Sequence, residues 1–248
     1  MGVEYALNDG IATITMDDGK RNALSPQMFK ELNAAFDRAE SDNAIVVLTG
    51  REEVFSAGFD LKVIKAGGLD AISMLKAGYS ITARIMEYPR PVISACNGHV
   101  LAMGVFMMLS TDYIIGTKGD FKVSANEVAI GMTMPRAAAE VLRQRLRPAD
   151  FQRAVVLAEY FSVEDAREAG FFDELVEADQ LLPRALSMAE QFKALDANAH
   201  YESKKRIRAT TVSNINRSIP LDLADAAKRG ATEAVKGVVK QARKSLRR

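Results

Sequence analysis

Two short segments carry residue types suited to chemistry on an acyl group. They are Phe55-Ser56-Ala57-Gly58-Phe59-Asp60-Leu61 and, some forty residues on, Asn97-Gly98-His99-Val100-Leu101-Ala102-Met103-Gly104. Both leave an apolar run, pass through small and glycine residues, and lead into an expected helix start. The first turn of a helix has backbone N–H groups with no partner inside the helix, and such donors bind anionic oxygen. Two of them in one domain predict a pair of N–H groups converging on a developing oxyanion.

The proton-transfer candidates are few. Glu127 lies in Ser124-Ala125-Asn126-Glu127-Val128-Ala129-Ile130-Gly131-Met132, a stretch with no other charge. A carboxylate in apolar surroundings has its pKa raised by desolvation and becomes a general base near neutral pH. The alternative at this point is a surface carboxylate at a strand edge. Asp60 reads better as a helix cap than as a catalytic group. Of two histidines, His99 adjoins the second glycine segment and His200 falls in an expected helix; neither has a Ser/His/Asp context. No G-x-S-x-G elbow is present, and the single cysteine, Cys96, lies in an expected buried strand. No His/Cys/Asp/Glu group has metal-ligand spacing, so no metal is expected.

The elements that position these residues read as follows. Residues 3 to 16 predict a hairpin turning at Asn8-Asp9-Gly10, with Ala12, Ile14 and Met16 on one face. Ser25-Pro26 opens a helix whose buried face is Phe29, Leu32, Phe36 and Ala39. Ala44 to Thr49, Val92 to Cys96 and Tyr113 to Ile115 are unbroken apolar runs, which predicts strands covered on both faces. Helical stretches near 70–87 and 103–110 lie between them, giving an α/β layered domain. Ser162-Val163-Glu164-Asp165 matches a capping box, and Gly170 marks that helix's end. Residues 178–195, 197–217 and 221–246 predict three helices, with Pro183 and Pro220 near starts. The expected division is an α/β core over 1–190 and a helical region over 191–248. The last helix carries Ala231, Val235, Val238, Ala242 and Leu246 on one stripe, better suited to packing on a subunit or on the core than to a membrane surface.

Composition bounds the partners. The 248 residues are 48% hydrophobic and 26% charged with a net charge of +1, which argues against bulk nucleic-acid binding. One cysteine fits a reducing compartment. Neither a signal peptide nor an apolar run near the ~20 residues of a membrane helix is visible. A cytoplasmic protein with no membrane or nucleic-acid partner is the expectation.

The motifs together resemble the crotonase (enoyl-CoA hydratase/isomerase) superfamily. Phe55 to Lys62 resembles its F-S-A-G-x-D-L signature, Lys20-Arg21-Asn22-Ala23-Leu24 its R-N-A-L segment, and Pro91 to Gly98 its P-V-I-A-A-x-N-G strand. Asn126 to Gly131 is similar to the segment with the retained glutamate, and Ala166 to Asp173 to the later A-x-x-x-G element. The resemblance spans roughly residues 3–195. It implies a spiral of ββα units with a helical C-terminal trimerisation region, assembled as a homotrimer or a pair of trimers. It also implies that the substrate is a coenzyme A thioester, with no separate cofactor.

By position, the resemblance places the oxyanion-hole donors on Phe59 and Met103. Arg21, Ala23, Ala57, Gly58, Asp60 and Leu61 would line the coenzyme A moiety, and Gly104, Phe106 and Asn126 would also contact the substrate. Two departures matter. Ala102-Met103-Gly104 stands where the family carries G-G-G, and Phe106 stands where hydratases carry the first of two glutamates. Glu127 takes the second position. One carboxylate beside an oxyanion hole is equipment for moving a proton between carbons, the arrangement of enoyl-CoA isomerases. The alternatives are a hydratase or other acyl-CoA lyase or hydrolase using His99, and an acyl-CoA-binding homologue without activity.

Overall fold

The computed structural model describes the backbone over residues 2–245 and side chains over residues 2–230. In chain order the strands are β1 (Gly2–Asn8), β2 (Ile11–Asp17), β3 (Ala23–Leu24), β4 (Ile45–Thr49), β5 (Glu53–Ser56), β6 (Gly58–Phe59), β7 (Val92–Cys96), β8 (Gly98–Leu101), β9 (Tyr113–Thr117), β10 (Val123–Ser124) and β11 (Glu174–Val176). The helices are α1 (Pro26–Ser41), α2 (Leu61–Ala66), α3 (Gly68–Glu87), α4 (Met103–Leu109), α5 (Arg136–Arg143), α6 (Pro148–Val156), α7 (Val163–Ala169), α8 (Leu181–Phe192) and α9 (Ala197–Ser245).

Local chemistry sets many of these boundaries. Asp9 and Gly10, at φ 45° and 74°, form the two-residue turn of the β1–β2 hairpin, with Asn8 paired to Ile11. Ser25 caps α1 by accepting the Met28 N–H (3.1 Å), and Pro26 fills its first position, as expected. Ser162 caps α7 through the Asp165 N–H (3.1 Å), and Gly170 ends it at φ 102°.

The large sheet has the order β1-β2-β4-β7-β9-β11, parallel after the hairpin. It is covered on both faces, which is why β4 and β7 are apolar throughout. One face joins the main core with Phe29, Leu32 and Phe36 of α1. On the other, Ile45, Val47, Ile93 and Ile115 pack against Leu181, Ala185 and Met188 of α8.

A second, smaller sheet has the order β10-β8-β5. Three successive units (β4–β5–α3, β7–β8–α4 and β9–β10–α5) each give their first strand to the large sheet and their second to the small one. The small strands are parallel, so their C-terminal ends meet at one edge. Their two to four residues leave no readable period, and the sequence did not predict them. Nor did it predict β11, the three-residue edge strand.

The C-terminal region corrects one expectation. Residues 197–217 and 221–246 do not form separate helices; α9 is a single helix with Pro220 inside it. Proline removes one backbone hydrogen bond and crowds the preceding turn. Tertiary contacts hold the helix across that point. Val212, Ile215 and Ile219 are buried in the core. Just past the proline, the Asp222 carboxylate accepts the N–H groups of Arg136 (3.0 Å) and Ala137 (2.9 Å), capping α5 from another helix. Residues 178–195 are likewise shorter in the structure: a 3-10 turn, Ala178–Gln180, precedes α8. The stripe from Ala231 to Leu246 lies outside the residues whose side chains are described. Among the described residues, no helix is long and apolar enough to cross a membrane.

Candidate active site

The ends of β5, β8 and β10 deliver the three candidate segments to one edge of the small sheet. β5 runs into Ala57-Gly58-Phe59, β8 into Ala102-Met103, and β10 into Asn126-Glu127. The Ala102 N–H donates to the Ser124 carbonyl (2.8 Å), tying the second segment to the third. Ligand sites in parallel sheets lie beyond the carboxyl ends of the strands, and this edge fits that rule.

The first two segments touch at Gly58. A Cβ built there would lie 2.8 Å from the Ala102 Cβ, 3.0 Å from the Leu101 carbonyl oxygen and 3.1 Å from the Met103 nitrogen. Its φ of 87° also disfavours any side chain. Ala102 has φ 48° and ψ −123°, a conformation that costs a non-glycine residue on the order of 1–3 kcal/mol. This strained residue stands where the resemblance has glycine. It makes Met103 the first residue of α4, where a backbone N–H has no acceptor within the helix.

The Arg21–Ala23 segment lies alongside. Ala23 and Leu24 of β3 pair in parallel with Gly58 and Phe59 of β6, and the Ala57 N–H donates to the Arg21 carbonyl (3.0 Å). Asn22, fully buried, donates from Nδ2 to the carbonyls of Met16 (2.8 Å) and Phe55 (3.2 Å). Burial of Asp18 raises its pKa, but the N–H donors of Ala23, Asn22 and Lys20 outweigh this and hold it below the usual carboxylate range. Ser56 completes the junction: its Oγ donates to the Asn22 carbonyl (2.8 Å) and accepts the Gly58 N–H (3.1 Å). Ser56 works through Asn22, 34 residues away, and Asp18 through residues within five positions of it; sequence reasoning missed both.

The remaining expected site residues divide by surroundings. Asp60 caps α2, accepting the Lys62 N–H (2.8 Å), and Leu61 is exposed. Gly104 lies against Ser56. Phe106 is buried in α4, a helix apolar all round. Met103 is fully buried, its Sδ 3.2 Å from where a Cβ on Gly78 of α3 would lie, so its side chain is turned onto α3.

Glu127 is not a surface residue. It is 4% exposed although Val128, Ala129 and Ile130 of the following 3-10 turn are exposed. Its Oε2 is buried and, among the described residues, has no hydrogen-bond partner. Burial pushes its pKa up to about 7. Asn126 donates from Nδ2 to the Tyr160 hydroxyl (3.0 Å), and its buried Oδ1 has no partner among the described residues.

The other nucleophile and base candidates have structural roles. His99 accepts the Lys122 N–H at Nδ1 (3.0 Å) and sets its ring edge-to-face with Phe121. Cys96 is buried in β7, and burial pushes its thiol pKa up, away from reactivity. Asn97 clamps the backbone of Gly50, accepting its N–H (3.1 Å) and donating to its carbonyl (3.0 Å).

The Enoyl-CoA hydratase/isomerase family model matches residues 6–244. The chain belongs to the enoyl-CoA hydratase/isomerase family. Members differ in reaction while sharing the fold. A probable enoyl-CoA hydratase of Mycobacterium avium is 29% identical over 195 residues, covering 77% of this chain and 74% of the relative. An enoyl-CoA hydratase/isomerase family protein of Pseudomonas syringae has a solved structure with TM-score 0.88 and 42% identity, covering 90% of this chain and 96% of that one. An enoyl-CoA isomerase of Mycobacterium tuberculosis, solved in its apo form, has TM-score 0.86 and 42% identity, covering 90% and 97%. The crotonase fold expected from the motifs is therefore the fold this enoyl-CoA hydratase/isomerase family enzyme has.

Proposed function

We propose that this chain is an enoyl-CoA isomerase that moves a double bond from the β,γ to the α,β position of an acyl-CoA. The observation that carries the proposal is Glu127: one inward-turned carboxylate, desolvated to a pKa of about 7, at the edge where Phe59 and Met103 converge. The ionised carboxylate takes the proton from the α carbon. The C–H electron pair forms a double bond between the α carbon and the carbonyl carbon, and the thioester carbonyl becomes the oxyanion of a dienolate that keeps its β,γ double bond. The Phe59 and Met103 N–H groups bind that oxyanion; one such donor is typically worth 10²–10³ in rate. The β,γ electron pair of the dienolate then takes the same proton back at the γ carbon, the α,β double bond forms, and the carbonyl re-forms. Atoms and charge balance with no cofactor beyond the coenzyme A of the substrate.

Phe106 supports isomerisation over hydration. A hydratase needs a second acid/base group to handle water, and Phe106 supplies neither a proton nor a hydrogen bond. His99, the other candidate, is committed to the Lys122 backbone.

The test is a pair of assays on the purified protein. Conversion of a 3-enoyl-CoA to the conjugated 2-enoyl-CoA should exceed hydration of the same 2-enoyl-CoA by at least about a hundredfold, the lower end of what a general acid–base group contributes. Faster hydration than isomerisation would overturn the proposal.

A further inference from the structure

Asn126, the neighbour of Glu127, is gripped from outside the small sheet. Residues 158–161, between α6 and α7, pass beside β10 in the antiparallel sense. The Phe161 N–H donates to the Val123 carbonyl (3.0 Å), and the Val123 N–H to the Phe161 carbonyl (3.1 Å). This register brings Tyr160 beside Asn126, whose Nδ2 donates to the Tyr160 hydroxyl (3.0 Å).

The segment is fixed in that place. Ala158 is buried at φ 50°, a strained conformation for a residue other than glycine. Such strain persists where surrounding contacts over-determine it, and it gathers at functional sites. Here the Glu159 carboxylate accepts Arg153 Nε (2.8 Å) and Nη2 (2.5 Å), and the Arg153 guanidinium stands over the Phe161 ring. Tyr160, between them, is 49% exposed and has no place in the core. Its hydrogen bond to Asn126 is what it contributes.

On the far side of that bond is the general base. Glu127 Oε2 has no partner among the described residues, so no hydrogen bond at that oxygen sets its direction. The backbone that carries it must do so. The Asn126 and Glu127 carbonyls both accept the Ile130 N–H (3.2 Å each), and the Glu127 carbonyl also accepts the Met132 N–H (2.8 Å). These bonds hold the chain after Glu127, and the Asn126 side chain holds the residue before it.

We propose that Tyr160 is a positioning residue for the reaction: by anchoring Asn126, its hydroxyl fixes the backbone from which Glu127 reaches the substrate. The inference rests on the single-glutamate reading above. One carboxyl that serves two carbons must be placed accurately, so losing the anchor slows the chemistry and leaves binding intact.

The test is Tyr160→Phe, which keeps the ring and removes only the hydroxyl. For a 3-enoyl-CoA, kcat should fall about three- to tenfold, the effect of one neutral hydrogen bond. KM should change less than about twofold, because the contact matters in the transition state and not in binding. Asn126→Ala supplies the readout that a merely structural tyrosine would not move. In that background, removing the Tyr160 hydroxyl should change kcat less than about 1.5-fold, since the two residues act as one unit. A kcat for Tyr160→Phe equal to wild type, or the same fall repeated in Asn126→Ala, would overturn the assignment. Glu127→Gln measured alongside separates the two ideas. If that variant is inactive while Tyr160→Phe matches wild type, Tyr160 alone is excluded. If Glu127→Gln keeps wild-type rates, the single-glutamate reading falls and Tyr160 falls with it.

Discussion

Glu127→Gln should lower kcat for double-bond isomerisation by about 10²–10⁴-fold and, in the same protein, raise stability above neutral pH. Gln keeps the shape of Glu but cannot take or return a proton. The stability effect has the opposite sign because the folded protein disfavours the charge. The pKa of Glu127 rises from 4.5 to about 7 through burial. Below pH 4.5 the group is protonated in both folded and unfolded chains, and its ionisation costs nothing. Between pH 4.5 and 7 the unfolded chain loses the proton first, so the folded state loses stability as pH rises. Above pH 7 the full cost remains, about 3 kcal/mol for a shift of this size. Thermal melts of the two proteins should coincide near pH 4.5 and separate by several degrees at pH 8, with Glu127→Gln the more stable. Such exchange of stability for activity is the behaviour expected of a desolvated catalytic group. A wild type as stable as the variant at pH 8 would show that Glu127 is not desolvated as described.

Asp112→Ala should be among the most destabilising single changes in the chain, by about 3–5 kcal/mol. Asp112 holds α9 to the core. Its Oδ2 accepts Lys204 Nζ (2.7 Å) and the Val92 N–H (2.7 Å), and its Oδ1 pairs with Arg208 Nη1 (3.0 Å). The Lys204 side chain is 2% exposed, and its pKa falls to about 8, mainly through burial. Arg208 is lowered by burial as well and donates to the carbonyls of Met86, Ser110 and Thr111. Removing the carboxylate leaves two cations in a poorly solvated place, far costlier than losing an exposed ion pair. Denaturant unfolding of Asp112→Ala against wild type measures the loss. Lys204→Met added to Asp112→Ala should recover part of it, because the stranded charge is gone. A loss below 1 kcal/mol would mean that this cluster is solvated.

What the sequence made legible follows from how local each determinant is. The Asn8-Asp9-Gly10 turn, the Ser25-Pro26 helix start and the Ser162 cap are set by residues within a few positions, and each lies where the sequence places it. The segments ending in Phe59 and Met103 were legible for the same reason: glycine and small residues before a helix have few other uses. Their meeting at Gly58 is a fact of the fold, carried by three strands too short to show a period. Pro220 misled because its local signal is strong, while the buried Ile215 and Ile219 and the Asp222 cap hold α9 together across it. Glu127 was legible as a carboxylate in uncharged sequence, but its inward turn was not, since exposed apolar residues follow it.

The proton's path is the most direct test of the single-carboxylate chemistry. A 3-enoyl-CoA carrying deuterium at the α carbon is converted by the wild-type protein in ordinary water, and the product is analysed by mass and position of label. A buried carboxylate that removes and returns the same proton exchanges slowly with solvent. Part of the deuterium should therefore appear at the γ carbon of the 2-enoyl-CoA, and Glu127→Gln should form almost none of this product. A 3-hydroxyacyl-CoA as the main product, or the labelled isomer formed by Glu127→Gln at the wild-type rate, would contradict it.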